Sequence, residues 1–285
     1  MKKLISFFIL CGLFAHLYAR QEISEKYALT GASELYGLSG ISIMDPYLSP
    51  LQYGGLGLLY EYESHRFINS ENTKLSIQTR FNTNIGIAFN SAITSSTYCF
   101  GGAYSWGMHY HLDNSFYPSA QFLLGGTADI NFLGKLNGRN GNNPYNMDLA
   151  TNLNLSGIVR YDFELWHKKM RLTYNLEAPF IGCFFAPEAG LSYYEIGEFG
   201  VMDNTIHFSS LLNKQGMTGR LMCEIPFRCC TLKFGFISSE LKYKANDLLF
   251  TTNSFNFMIG YSYKFHTFKG TRETIPAIFT DSEKY

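Results

Sequence analysis

The chain has 285 residues, with 23 Lys and Arg against 23 Asp and Glu and a formal net charge of +0, which leaves no field to draw nucleic acid or an acidic partner. Charged residues make up 16% of it, against about 25% in ordinary soluble domains, and aromatic residues another 16%, with 20 Tyr and 25 Phe. Past the N-terminus no run approaches the roughly 18 apolar residues that a membrane helix needs, so a membrane role would have to be played by strands.

Met1-Lys-Lys is basic, residues 4–14 are mostly apolar, and Leu17-Tyr18-Ala19 offers a small-residue cut. This predicts a signal peptide over residues 1–19 and a mature chain that starts near Arg20. Bulky Leu10 before Cys11, and the short apolar run that a cut there would leave, argue against a lipoprotein site.

Residues 32–44 read as a loose first strand, ended by Pro46 and Pro50. In 55–63, Leu56, Leu58, Tyr60 and Tyr62 alternate with Gly57, Leu59, Glu61 and Glu63. Successive strand side chains face opposite ways, so one face is apolar and the other polar or small. Residues 74–90 keep one parity, as one strand or two joined near Asn82-Thr-Asn84, with Phe81 and Ile85 outward and Arg80 and Asn82 inward. Strands over 97–113 and 120–132 follow, and the Gly, Asn and Pro of 134–146 predict a loop. Residues 147–165 and 169–185 alternate clearly, whereas 191–196 gives only a short strand. Strands over 205–213, 217–227 and 230–243 lead to a last one over 254–268. There Phe255, Phe257, Ile259, Tyr261, Tyr263 and Phe265 oppose Asn256, Met258, Gly260, Ser262 and Lys264. Residues 271–285 lack alternation and carry Pro276, so a periplasmic tail is expected over 270–285.

The count is about twelve strands, which alternation alone would also allow in a soluble sandwich. Three features favour a single all-β transmembrane antiparallel barrel over residues 20–269. The polar face is rich in Gly, Asn, Ser and Thr, which suits a crowded lumen. With both termini periplasmic, short turns at 66–71, 114–118, 166–168 and 226–229 share one end, and longer outer loops at 45–53, 134–146 and 244–249 share the other. The same topology gathers Tyr60, Tyr62, Tyr110, Tyr161, Phe163, Tyr263 and Phe265 at one level, as an interfacial girdle requires. Gly260, Tyr263 and Phe265 also have the spacing of a barrel-assembly signal, which implies the outer membrane, its lipid and the assembly machinery as partners.

Asp45-Pro-Tyr-Leu-Ser-Pro-Leu-Gln-Tyr53, Tyr104-Ser-Trp-Gly-Met-His-Tyr110 and Gly138-Arg-Asn-Gly-Asn-Asn-Pro144 carry a family resemblance. So do the runs Leu149 to Gly157, Ser192 to Ile196 and His207 to Gly216. Together they resemble a family of Bacteroidota outer-membrane barrels catalogued as a domain of unknown function. The resemblance implies the fold and the location and no activity, and the tail looks unusual for it.

His207-Phe-Ser209 is the sharpest chemical pattern. Positions i and i+2 share a strand face, so an imidazole could take a hydroxyl proton in an acyl hydrolase, with Asn213 or Glu224 orienting it. Polar strands yield His-x-Ser by chance, and Phe208 rather than the pair would face lipid, so a polar cluster near the outer rim is preferred. His109, His111 and Asp113 share a face as metal ligands could, but no further ligand is placed by sequence, so lumen lining is preferred. Glu61, Arg80, Asp129, Arg160, Glu177, Arg220, Glu224 and Lys233 all point inward, together with Glu63, Asp162 and Arg171. They could line a pore, but pairing across a narrow lumen is the preferred reading. The Gly138 loop lacks a phosphate-loop Lys-Ser ending, and no cofactor is implied. Cys99, Cys183, Cys223, Cys229 and Cys230 form no Cys-x-x-Cys, so free thiols are expected. The reading that results is a non-enzymatic barrel (a narrow pore, a conduit or a structural envelope protein), with lipid acyl hydrolysis as the alternative.

Overall fold

A computed structural model describes residues 27–68, 73–113, 117, 119–141, 143–188, 190–227, 230–265 and 279–282. The signal peptide read over 1–19 and residues 270–278 of the tail lie outside them.

Strands β1 (Tyr27–Asp45), β2 (Ser49–Phe67), β3 (Leu75–Asn90), β4 (Ser96–Leu112), β5 (Ala120–Asn137), β6 (Tyr145–Leu165) and β7 (Lys168–Phe185) form a meander. Helix α1 (Tyr193–Phe199) comes next, followed by β8 (Ile206–Ser210), β9 (Lys214–Pro226), β10 (Thr231–Ala245), β11 (Leu248–Phe265) and β12 (Phe279–Asp281). β11 pairs back onto β1 from Phe265 opposite Thr30 to Thr251 opposite Met44. β1 to β7 and β9 to β11 thus close an antiparallel barrel of ten strands. Closure leaves no edge, the condition for strands to stand in lipid.

The expectation of about twelve strands is corrected to ten for two reasons. Residues 193–199 are helical: Ser192 and Glu195 form a reciprocal capping box, and Gly200 closes the helix at φ 64°. β8 and β9 also share one position beside β7, pairing with Ile181–Phe185 and Arg171–Glu177 in turn. Residues 74–90 form one strand.

The expected longer outer loops are corrected too. At the end away from the termini, β1 and β2 are joined by 46–48 alone. β10 and β11 are joined by Asn246-Asp247, whose φ of 49° and 61° are those of a tight hairpin. The stretch read as a loop over 134–146 is strand at both ends, and only 138–144 is loop. The long connection at that end is 186–205, which carries α1.

Parity sorts the side chains. On β2, Glu61, His65 and Phe67 are buried while Leu56 and Leu58 are exposed. On β3, Gln78, Arg80 and Asn90 are buried while Phe81, Ile85 and Phe89 are exposed. Among the described outward-facing strand residues, charges stand only near the ends: Glu34, Arg66 and Lys168 at the terminal end, and Glu240, Lys242 and Lys244 at the far end. The band between them is apolar and aromatic. Near the terminal end Tyr261 and Tyr263 donate to the Glu34 carboxylate at 2.9 and 3.3 Å, so this outward charge sits among aromatic hydroxyls.

Candidate functional site

The lumen is built in layers. At the terminal mouth, Arg160 donates to the Ser282 carbonyl (3.1 Å) and reaches His65 Nε2 (3.3 Å), while His65 Nδ1 meets Ser282 Oγ (3.0 Å). β12 pairs in parallel with Tyr27–Leu29, and Lys264 meets Asp281 at 2.6 Å. Residues 279–282 of the stretch read as a tail are therefore seated in the barrel mouth. Arg171 grips Asp162 through Nε at 2.6 Å and Nη2 at 2.9 Å.

Above this, charged side chains meet across the interior. Lys233 lies 2.9 Å from Glu63 and 3.4 Å from Glu224. Arg220 pairs with Glu61, and Arg80 with Glu177 on the opposite wall. Lys233 and Glu224 face each other on neighbouring strands, whereas Lys233–Glu63, Arg220–Glu61 and Arg80–Glu177 join inward residues of strands far apart in the sheet and so span the lumen. The space left among them is about 30 Å³, room for about one water. Buried ions need such partners, since an unpaired one is costly to desolvate.

Higher up is a chamber of about 330 Å³, lined by apolar side chains such as Ile43, Leu59 and Ile237 as well as by polar ones. Asp129 accepts from Asn131 and Asn152, both at 2.7 Å, and from Asn154. Asn152 in turn accepts from Lys214 Nζ at 2.7 Å, and the Lys214 ammonium lies 5.5 Å from the centre of the Phe184 ring.

The far mouth is closed by the 46–48 turn, which folds inward. Asp45 Oδ1 accepts from the backbone of Tyr47 and Leu48 at 3.1 and 3.4 Å, an Asx turn that Pro46 favours. Tyr47 and Leu48 then pack with Phe184, Ala186, Tyr243 and Phe250. The Tyr47 hydroxyl donates to the Leu191 carbonyl at 2.7 Å, and burial pushes its pKa up to about 12. Lys135 holds Asp45 at 2.6 Å and Asp148 at 2.7 Å, and Tyr243 donates to Asp148 at 2.9 Å.

The other candidates lie as follows. His207 and Ser209 both face inward on β8. His207 Nε2 donates to the Ala186 carbonyl at 3.2 Å, its ring stacks on Phe184, and Ser209 is buried. Asn213 holds the turn after β8, donating to the Phe208 carbonyl at 2.7 Å, and Glu224 pairs with Lys233. Neither residue contacts His207 in these hydrogen bonds and ion pairs. His109 and His111 face inward on Ser156 (2.9 Å) and Ser76 (2.8 Å), while exposed Asp113 pairs with Lys74 at 2.9 Å. Among the described residues no group of three or more metal-ligating side chains comes together. Gly260, Tyr263 and Phe265 sit on the closing strand, and a Cβ at Gly260 would overlap the Glu34 carbonyl. Cys99, Cys183, Cys223 and Cys230 are free thiols, and Cys229 lies outside the described residues.

Sequence reading missed Lys135 and Lys214, and it put Asp148 on the inward face of the 147–165 strand without a partner. The signal is there in part: Lys135 continues the inward parity of Asp129 and Asn131, but Gly134 and the Asn-rich run after it look like the start of a loop.

The family described as "Protein of unknown function (DUF3316)" matches residues 5–272. The chain belongs to this family. No curated protein is significantly similar to it in sequence. Similar solved structures include the outer membrane protease OmpT from Escherichia coli, at 7% identity over 87% of this chain and 100% of that one, with a TM-score of 0.48. The transport unit of the autotransporter AIDA-I from Escherichia coli has 10% identity over 86% and 94%, with a TM-score of 0.42. The translocator domain of the autotransporter NalP from Neisseria meningitidis has 7% identity over 93% and 98%, with a TM-score of 0.39. The barrel assignment of this family member stands on its own closed ladder.

Proposed function

We propose that this protein is a non-enzymatic outer-membrane barrel that encloses a sealed chamber. It would be exported through a cleaved signal at 1–19, inserted by the barrel-assembly machinery with both termini periplasmic, and surrounded by outer-membrane lipid. A Bacteroidota source accompanies this reading, on the sequence resemblance. The uncharged outward band supports the membrane placement, since a lysine or arginine at mid-membrane costs about 2–4 kcal/mol. The observation that carries the function is the layer of cross-lumen ion pairs. Arg80–Glu177, Arg220–Glu61 and Lys233 with Glu63 and Glu224 fill the section where a diffusion pore would be open.

Planar-bilayer recording of the refolded protein tests this. The expected result is insertion, shown by a heat-dependent gel shift, without a steady conductance. A constant ohmic current from the unaltered protein would overturn the sealed-chamber reading and favour a pore.

A further inference from the structure

We propose that the interruption between β7 and the β8–β9 strand is a lateral port, through which an uncharged amphiphile passes between the bilayer and the chamber. This inference rests on the membrane placement argued above.

β7 pairs with β9 from Arg171 to Glu177 and with β8 from Ile181 to Phe185. Between these ladders Ala178, Pro179 and Phe180 have no partner on that side, and residues 211–217 have none on β7. Among the described residues no other seam of the barrel has such a gap. The sequence builds it from both sides. Pro179 has no N–H to offer a ladder, and Phe180 is skipped in the register with β6 as a bulge. Opposite, the turn after β8 is held by bonds within itself and to β10. Ser210 N–H donates to Asn213 Oδ1 at 2.8 Å, and Lys244 N–H donates to the Asn213 carbonyl at 3.0 Å.

Unpaired backbone at membrane depth is tolerated where it borders protein or a water-filled cavity. Here the chamber wall includes Pro179, Gly216 and Thr218, so the gap opens onto it from inside. Outside, Phe180, Leu211, Leu212 and Met217 present exposed apolar side chains, with Leu212 93% exposed. What stands between is slight. Gly216 has no side chain, and a Cβ there would lie 3.3 Å from Pro179 Cγ and 3.2 Å from Leu241 Cδ1. A proline ring against a glycine is the door.

The chamber selects the guest. Arg80 and Arg220 are neutralised by Glu177 and Glu61, and Asn152 bridges Lys214 to Asp129. With charges balanced, carboxamides offering donors and acceptors, and Ile43, Leu59 and Ile237 on the same wall, an uncharged head of mixed polar and apolar character fits. About 330 Å³ admits such a head and leaves an apolar tail at the outer lip.

Cys99 borders the chamber and supplies a native reporter. In lipid vesicles, a variant with Cys183, Cys223, Cys229 and Cys230 changed to Ser would be exposed either to dodecyl-maleimide dissolved in the bilayer or to a sulfonated maleimide in the water. The lipid-borne probe is expected to label Cys99 faster, and Gly216→Phe to slow that labelling roughly tenfold by lowering the open fraction. Gly216→Val replaces it if the larger side chain prevents folding, and Asn154→Cys in a Cys99→Ser background is the second reporter. The port is overturned if neither reporter is labelled from the lipid, if the aqueous probe is faster, or if the block at 216 changes nothing. Failure to float with vesicles overturns the membrane placement and the port together. Lipid-route labelling alongside a steady conductance overturns only the sealed chamber.

Discussion

Replacing Arg80 by Leu should destabilise the barrel strongly, and replacing Glu177 by Leu as well should restore most of the loss. Arg80 and Glu177 are 3% and 11% exposed, and they reach each other from opposite walls. Removing one partner of a buried pair typically costs about 3–5 kcal/mol, whereas replacing both by apolar residues is often neutral or stabilising. The structure moderates the first figure slightly. Glu177 would keep neutral donors in Asn175 at 3.2 Å and Ser156 at 3.4 Å, so the lower part of that range, about 3 kcal/mol, is expected. It also favours recovery in the double variant, because Arg80 Nε has no hydrogen-bond partner and Leu removes that orphan. The assay is urea unfolding of the vesicle-inserted protein, followed by loss of the folded gel band, for the parent, both single variants and the double. If Arg80→Leu falls within about 1 kcal/mol of the parent, the pair is solvated and the lumen wet, as for an exposed ion pair. If the double variant is as unstable as the sum of the singles, the two residues do not act as a pair.

Three further outcomes follow from particular contacts. The Ser192 backbone and hydroxyl donate to the Glu195 carboxylate and lower its pKa. A depressed carboxylate stabilises above its unfolded pKa and loses that contribution as pH falls through the folded one. Glu195→Gln should therefore speed amide exchange in α1 near neutral pH, with the difference from the parent closing in acid; a difference that grows in acid contradicts the cap. Ending the chain after Ile278 removes β12 and Ser282, which should cost about 1–2 kcal/mol through the lost bonds to His65 and Arg160; an unchanged unfolding midpoint would place those contacts outside the folded state. Fatty-acid release from phospholipid should be absent from the parent and from Ser209→Ala alike, and release confined to the parent would establish the hydrolase.

Period-two alternation made the wall legible, because each strand buries one face in the lumen and shows the other outside. That is why Leu56 and Leu58 could be set outside and Glu61 inside from sequence. Counting strands was harder. Tyr193-Tyr194 looks strand-like, and only the Ser192 to Glu195 spacing with Gly200 reveals a helix, a local capping signal that composition hides. β8 and β9 look like two strands along the chain and occupy one position in space, a distinction that only pairing can make. The wall gap was equally hidden. Nothing in the sequence around Pro179 marks it, and Asn213 reads as the end of a strand; what matters is that residues 178–180 and 211–217 both fall between the two ladders. The 46–48 turn lies in a legible motif, Asp45-Pro-Tyr-Leu, but nothing in that run says it folds inward until Lys135 and Phe250 are seen beneath it.

The closing seam yields a test of assembly that separates recognition from geometry. Tyr263 and Phe265 face outward near the terminal end of β11, where Phe265 stands opposite Thr30 and Tyr263 opposite Ala32. At the membrane interface a lysine costs only about 0–1 kcal/mol, so Phe265→Lys should leave the stability of inserted protein nearly unchanged. If Phe265 belongs to the assembly signal, the same change should lower the amount inserted. Gly260 acts differently. It faces Leu35, and a Cβ there would overlap the Glu34 carbonyl oxygen, a backbone atom that can yield only by opening the seam. Gly260→Ala should therefore reduce both the inserted amount and the unfolding midpoint of what is inserted, since an open seam leaves backbone groups unpaired in lipid. Comparing membrane yield with the heat-dependent gel shift for the two variants reads these effects separately. Should Phe265→Lys lower the midpoint as much as Gly260→Ala does, the aromatic ring holds the barrel together and recognition lies elsewhere. Should Gly260→Ala leave both quantities unchanged, β1 and β11 do not meet as closely as this seam requires.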